Sequence, residues 1–388
     1  MPLNRAAGFD TITVESLREL GSVKWSTYPD SIGAFVAEMD FGTAPPVQQA
    51  LHVAVDTAGF GYLPAALSQD MAQACADWQA RRYGWPVDSE QVHPIADVIN
   101  GLQIAIEHFS APGSPVVLPT PAYMPFLFVP KLMGREIIEV PMLEHGGRWV
   151  YDLDGLERAF VKGGGLLILC NPYNPLGRVM RIEELTAISE VVDRHGARVF
   201  SDEIHSPLVY AGHRHVPYAS ISPVTAGHSV TATSASKAWN LPGLKCAQFI
   251  ISNDDDAAVW EEIAMMAEHG ASNLGVVANT AAYNSGGPWL DDVMGYLDEN
   301  RRLLGSLLTE NMPDVGYTMP EGTYLAWLDF RKAGLGDNPG EVIRERAGVA
   351  MVDGVACGEA GTGFARLNFA TPKPILREMV TRIADVST

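Results

Sequence analysis

Short apolar runs alternate with longer stretches of helical spacing through the middle of the chain. Ile99, Leu102, Ile106 and Phe109 fall on one face of a helix predicted from about Asn100 to Phe109, and Met71 to Arg82 reads as another. Val116-Val117-Leu118 and Leu166 to Cys170 are unbroken apolar runs of strand length. Ile182, Leu185, Ile188 and Val192 then mark a helix closed by Gly196. Arg198-Val199-Phe200, Val230 to Thr233 and Ala247 to Ile251 predict three more strands. Buried strands separated by helices imply a mainly parallel sheet, and in such sheets ligands collect at the carboxyl ends of the strands.

The pattern changes near residue 285. Leu290, Val293, Leu297, Leu304 and Leu307 share one face of a helix predicted over Trp289 to Leu308. Strands follow around Tyr324 to Asp329 and Ala365 to Phe369, and a final helix carries Leu376, Met379, Ile383 and Val386. This reads as an α+β lobe of about a hundred residues, a common domain size. The expected division is a large domain over residues 45–285, with residues 1–44 and 286–388 forming a small domain that includes an amino-terminal arm. The arm ends at the breaker cluster from Gly42 to Pro46, and Asp254-Asp255-Asp256 reads as an acidic helix start.

At 388 residues the chain is too long for one ordinary core. Its formal charge of −19 argues against a general binder of nucleic acid or anionic membrane, because phosphate backbones need a surplus of Lys and Arg. The four cysteines Cys75, Cys170, Cys246 and Cys357 lie far apart, with no zinc-like spacing, so reduced and mostly buried thiols are expected. Met1 to Asp10 lacks the basic-then-apolar pattern of a secretory leader, and no run approaches the ~20 apolar residues of a membrane span. A cytoplasmic protein is expected.

The candidate chemistry gathers where strands are predicted to end. Lys237 follows the run Val230 to Thr233 and has Ser234 and Ser236 beside it. A lysine that forms and breaks a Schiff base needs a desolvated, electropositive setting, and nearby phosphate oxygens need hydroxyl donors. By itself a Ser-x-Ser-Lys string is weak evidence. The turn Asp97-Val98-Ile99-Asn100-Gly101 leads from strand to helix, so Val98 and Ile99 offer backbone N–H groups to an anion. Tyr123 sits in a loop stiffened by Pro119, Pro121 and Pro125, where its ring can cover a flat cofactor or simply pack. Asp202, Asn174 and Arg366 suit a pyridine nitrogen, a phenolic oxygen and a substrate carboxylate. Each also has an ordinary alternative as a helix cap, a turn residue or an ion pair. Tyr62, in Gly59-Phe60-Gly61-Tyr62, is by itself best read as a packed turn tyrosine.

Asn171-Pro172-x-Asn174-Pro175-x-Gly177, Ser201-Asp202-Glu203-Ile204-His205, Ser234-x-Ser236-Lys237 and Arg366-Leu367-Asn368 together resemble the class I/II aminotransferase superfamily of fold type I pyridoxal phosphate enzymes. Lys24-Trp25, Glu38-Met39-Asp40-Phe41, Gly61-Tyr62, Pro121 to Phe126 and Tyr324 to Phe330 resemble its C–S lyase branch, the bacterial cystathionine β-lyases. The resemblance implies an α/β fold in which a large domain with a mainly parallel seven-stranded sheet is joined to a smaller α+β domain. It also implies pyridoxal 5'-phosphate and β-elimination on a small sulfur amino acid, giving pyruvate, ammonia and a thiol. An aminotransferase, or a regulatory protein that keeps the fold, is the alternative.

Carried over by position, Lys237 matches the Schiff-base lysine, Asp202 the pyridine-nitrogen partner, Asn174 the phenolate partner, Tyr123 the stacking ring and Arg366 the carboxylate anchor. Ser234, Ser236, Val98 and Ile99 fall near the phosphate. Tyr62 matches a tyrosine that reaches the neighbouring subunit's phosphate, which implies a homodimer with sites at its interface. Lys245 stands where many members have an arginine, Tyr173 where the lyase branch has histidine, and Pro207 where an acidic residue is common.

Overall fold

The computed structural model describes residues 6–145 and 148–386. Met1 to Arg5, half of the amino end considered above, lie outside the described residues. The main sheet has seven strands: β1 (Val92–Ile95), β2 (Val116–Thr120), β3 (Ile137–Pro141), β4 (Leu166–Cys170), β5 (Arg198–Asp202), β6 (Ser229–Thr233) and β7 (Ala247–Ile250). Their order across the sheet is β1-β7-β6-β5-β4-β2-β3. From β6 to β3 all neighbours are parallel, while β7 runs against both β1 and β6. The expected α/β architecture, with a mostly parallel seven-stranded sheet among helices, is therefore the observed one.

Strands β2, β4 and β6 are buried along their whole length, β2 and β4 as their apolar runs require and β6 with Ser229, Thr231 and Thr233 buried among its apolar residues. The sequence pattern misses β1 and β3. Both are edge strands; β1 reads Val-His-Pro-Ile, and β3 leaves Glu139 and Pro141 exposed. Pro and charge belong on edges because they discourage further pairing, and they also erase the strand signal.

The helices around this sheet include α1 (Pro45–Asp56), α2 (Ala65–Tyr83), α3 (Val98–His108) and α4 (Ile182–Arg194), of which α2 and α3 pack directly on its strands. Helix α3 starts two residues before the predicted position, with Asp97 as its cap. A Cβ on Gly101 would come within 2.9 Å of Ile95 Cδ1 and 3.3 Å of Ala232 Cβ. Glycine there lets α3 lie close against the sheet. The acidic run from Asp254 to Asp256 does open a helix, capped by Asn253, and all four cysteines are buried and free. Among the described residues no helix is long and apolar enough to cross a membrane.

A second, antiparallel sheet has the order β8-β9-β11-β10, formed by β8 (Gly316–Tyr317), β9 (Leu325–Asp329), β10 (Val352–Asp353) and β11 (Phe364–Asn368). The long helix α5 (Gly287–Asn311) and the last helix α6 (Lys373–Ala384) pack together.

The amino-terminal arm ties the two sheets together. Lys24 and Asp40 form a buried ion pair of 2.9 Å, and the Trp25 indole donates to the other Asp40 oxygen at 2.8 Å. Gly33 makes this fold possible, since a Cβ there would meet the Lys24 carbonyl at 2.1 Å. From this anchor the arm crosses the molecule. Asn368 donates to the Val36 and Glu38 carbonyls, Asp40 N–H bonds the Ala370 carbonyl, and Asn240 holds both the N–H and the carbonyl of Met39.

Removing one partner of a buried ion pair leaves the other charge stranded. Asp40→Ala should therefore lower the unfolding free energy by ~3–5 kcal/mol in urea denaturation. Replacing both partners, Lys24→Met with Asp40→Leu, should recover much of the loss. A single variant as stable as the parent would show that the pair does not hold the arm.

Candidate active site

The sheet order brings the candidate residues together. Reading from β6 to β2, the successive carboxyl ends and the loops that follow them carry Lys237, Asp202, Asn174 and Tyr123, with Asp202 the last residue of β5. Asp202 lies in register with Cys170 on one side and Ala232 on the other. The four side chains line one cavity of about 160 Å³, together with His205, Ser236, Lys245 and the turn from Ala96 to Ile99.

Lys237 donates from Nζ to the Ala37 carbonyl of the arm at 3.0 Å. Burial pulls its pKa down to about 8, helped by the Arg366 guanidinium, while Glu38 and Asp202 pull the other way. Asp202 behaves oppositely. Burial pushes its carboxyl up to about 7, against the Ile204 N–H at 3.0 Å and the Lys237 charge. Such a carboxyl calls for a cationic or N–H partner from the cavity.

Arg366 is buried and fixed on two sides. Nη1 donates to Asn174 Oδ1 at 2.9 Å and Nη2 to the Phe35 carbonyl at 2.7 Å, while Nε has no partner among the described residues. Because its oxygen is taken by Arg366, Asn174 has its amide N–H groups left to offer. The partly buried Tyr123 ring stands edge-on to Phe126, with centroids 5.4 Å apart, and burial raises its phenol pKa.

At the other end of the cavity Asp97 caps α3. One carboxylate oxygen accepts the Asn100 N–H at 2.8 Å, and the other meets Lys245 Nζ at 2.7 Å. The first-turn N–H groups of Val98 and Ile99 have no acceptor within the helix, which makes this end a natural anion seat. The cavity thus offers an N–H cradle with a nearby ammonium, a depressed lysine and a carboxyl seeking a proton donor. That set fits the phosphate, aldehyde and ring nitrogen of pyridoxal phosphate.

Three sequence candidates do not line the cavity: Arg366, which adjoins it through its bond to the lining residue Asn174, Ser234 and Tyr62. Ser234 does not line the cavity: its hydroxyl is buried, donates to the Cys246 carbonyl at 2.7 Å and accepts the Ser236 N–H at 3.0 Å. Its place is in the turn that aims Lys237, whereas Ser236 lines the cavity. Tyr62 is 90% exposed, beside His269, and lies outside the Lys237 cavity within this chain.

Sequence reasoning missed three contributors. His205 lines the cavity with an unpartnered Nδ1, and burial pushes its pKa down to about 3, so it is a neutral imidazole. Tyr324 donates its hydroxyl to the same Ala37 carbonyl that holds Lys237, at 2.9 Å. Ala37 itself acts through its backbone. His205 and Tyr324 stood inside quoted motifs, but nothing in their spacing showed where they point.

The family model described as aminotransferase class I and II matches residues 36–383. A cystathionine beta-lyase of Corynebacterium glutamicum is 40% identical, covering 96% of this chain and 98% of that protein. The crystal structure of a putative PLP-dependent beta-cystathionase from Corynebacterium diphtheriae superposes with a TM-score of 0.92 at 41% identity, over 97% of this chain and 98% of that one. Cystalysin from Treponema denticola, whose structure contains pyridoxal 5'-phosphate, gives a TM-score of 0.90 at 30% identity, over 97% and 98% of the two chains.

The lysine pKa has a kinetic consequence, because only the neutral amine attacks an aldehyde. With a pKa of about 8, uptake of pyridoxal phosphate by the cofactor-free protein should quicken about fivefold between pH 7 and 8 and level off above that. Absorbance after mixing measures it. A rate that keeps climbing tenfold per unit towards pH 10 would show that Lys237 has an ordinary lysine pKa.

Proposed function

The chain belongs to the aminotransferase class I and II family, and from that premise we propose that it is a pyridoxal phosphate-dependent carbon–sulfur lyase of the cystathionine β-lyase type. The observation that carries this reading is the 40% identity to a cystathionine beta-lyase across nearly the whole of both chains. The cavity supplies groups suited to each task. Bound there, the cofactor would supply an electron-withdrawing ring able to stabilise negative charge at the substrate's Cα.

The chain's own residues do the rest. Lys237 holds the cofactor and, once released by substrate, takes the Cα proton with an amine whose pKa of about 8 suits a base near neutral pH. Asp202 keeps a proton on the ring nitrogen. Asn174 donates to the phenolic oxygen and braces Arg366. Arg366 clamps the substrate α-carboxylate with its remaining N–H groups, which fixes the Cα–H and Cβ–S bonds relative to the ring. Tyr123 would cover the ring, and Val98, Ile99, Ser236 and Lys245 would seat the phosphate. With sulfur on Cβ, the proton that Lys237 takes from Cα can pass to the sulfur as the Cβ–S bond breaks and the thiol leaves, and water then displaces the nitrogen from the three-carbon fragment to give pyruvate and ammonia.

We read the functional unit as a homodimer with residues 45–285 as the cofactor domain, placed in the cytoplasm. Support for the dimer comes from the exposure of Tyr62, Phe60, Met265 and Met266 in one region of the surface, where a second copy would cover them. Tyr62 then serves the partner's site. Buried, free thiols accord with the cytoplasm.

Purified protein loaded with cofactor is expected to release pyruvate and a free thiol from cystathionine with no added keto acid. Strict dependence on a keto-acid acceptor would overturn the lyase reading in favour of transamination. For the dimer, sedimentation of the active enzyme should give twice the chain mass, and Tyr62→Ala should weaken cofactor binding by about tenfold, the scale of one lost charge-assisted hydrogen bond. A fully active monomer would refute this arrangement.

A further inference from the structure

Behind Asp202, on the side turned away from the cavity, lies a buried line of polar groups that the reaction described above does not use. Alternation along the chain sends Ser201 and Glu203 to the face opposite Asp202. Glu203 is 1% exposed and His215 2%. Glu203 Oε1 accepts from the Ser201 hydroxyl at 2.9 Å and from the Tyr218 backbone N–H at 2.9 Å. Its other oxygen meets His215 Nε2 at 2.9 Å. His215 Nδ1 faces Asn171 Nδ2 at a longer 3.5 Å, and Asn171 Oδ1 accepts the Met180 N–H at 2.9 Å.

The direction of every bond in this line follows from its ends. Both ends are backbone N–H groups, which can only donate. The Met180 N–H fixes Asn171 with its oxygen towards Met180, and so with its NH2 towards the histidine. His215 Nδ1 must then accept, which leaves Nε2 to carry the proton. A group that accepts both from Nε2–H and from the Tyr218 N–H has to present two acceptor oxygens. Only a carboxylate does that; an amide at position 203 would set donor against donor at one place along the line.

The line also connects through the main chain to Asp202 and to the loop of Asn174, the two groups proposed to face the cofactor ring. Asn171 donates its backbone N–H to the Asp202 carbonyl at 2.9 Å and begins the loop that carries Asn174. Neither Glu203 nor His215 lines the cavity. We propose that Glu203, His215 and Asn171 are positioning residues: the Glu203 carboxylate sets the His215 tautomer, the tautomer sets the Asn171 amide, and the line holds Asp202 and Asn174 at their spacing for the cofactor ring. This rests on the cofactor site described under the proposed function and adds to it a polarity requirement at three buried positions.

Compensation tests that requirement. Glu203→Gln should weaken pyridoxal phosphate binding about tenfold or more and shift the bound cofactor's absorbance, read by titrating the cofactor-free protein. Glu203→Gln combined with Asn171→Asp rebuilds the line with the middle bonds reversed: the new amide donates to His215 Nε2, Nδ1–H donates to the new carboxylate, and that carboxylate still accepts from Met180. The double variant is therefore expected to recover most of the affinity and the parental absorbance, giving a strong non-additive coupling. A double variant no better than the single, in folding or in binding, overturns the proposal. So does a single variant that melts earlier yet binds cofactor as the parent does, since the line would then serve stability alone. Failure of the parent protein itself to bind pyridoxal phosphate would instead sink the proposed function.

Discussion

The Lys237 amine is held by a backbone carbonyl and not by a carboxylate, and much of the molecule is arranged to make that possible. A carboxylate partner would hold the lysine charged and raise its pKa, whereas the Ala37 carbonyl fixes Nζ in place and lets burial lower it. The carbonyl belongs to the arm and not to the sheet that carries the lysine. Its position depends on the buried Lys24–Asp40 pair, on Asn368 bonding the carbonyls either side of it, and on Asn240 gripping Met39. Arm, small sheet and main sheet meet on this one contact, with Tyr324 sharing the same oxygen.

The two titrating groups in the cavity place the fold under tension at neutral pH. For Asp202 the folded pKa of about 7 lies above its ordinary value, so its contribution to stability is complete only in acid and is lost as pH rises through about 7. For Lys237 the folded pKa of about 8 lies below its ordinary value; its contribution is complete in base and is lost as pH falls through about 8. Between those limits both groups weigh against the cofactor-free fold. A ligand that brings an N–H to Asp202 and engages the amine relieves both, so part of the binding energy is stored in the protein beforehand.

Much of this was legible in the sequence, and the failures have physical causes. The central strand β4 announces itself as an apolar run because both of its faces are covered, β5 shows through Val199-Phe200 and β6 through its β-branched Val and Thr residues, and the carboxyl ends of the three lead to Asn174, Asp202 and Lys237. Edge strands β1 and β3 do not, because the proline and charge that protect an edge also hide it. Ser234 and Ser236 look alike in the sequence, yet only Ser236 reaches the cavity, since the chain turns between them and Ser234 stabilises that turn. The arm's contribution was invisible for a different reason: it acts through main-chain oxygens, and an alanine gives no sign that its carbonyl is needed.

That last feature has an evolutionary side. A contact made by a peptide oxygen survives almost any point substitution at its own position, so the codon for residue 37 can drift so long as a side chain fits the space. Insertions and deletions are different. Adding or removing one residue between Gly33 and Asp40 would shift the register of every carbonyl that Arg366, Asn368, Tyr324 and Lys237 use. The arm should therefore be tolerant in spelling and rigid in length, and related chains are expected to vary in its side chains far more than in its residue count.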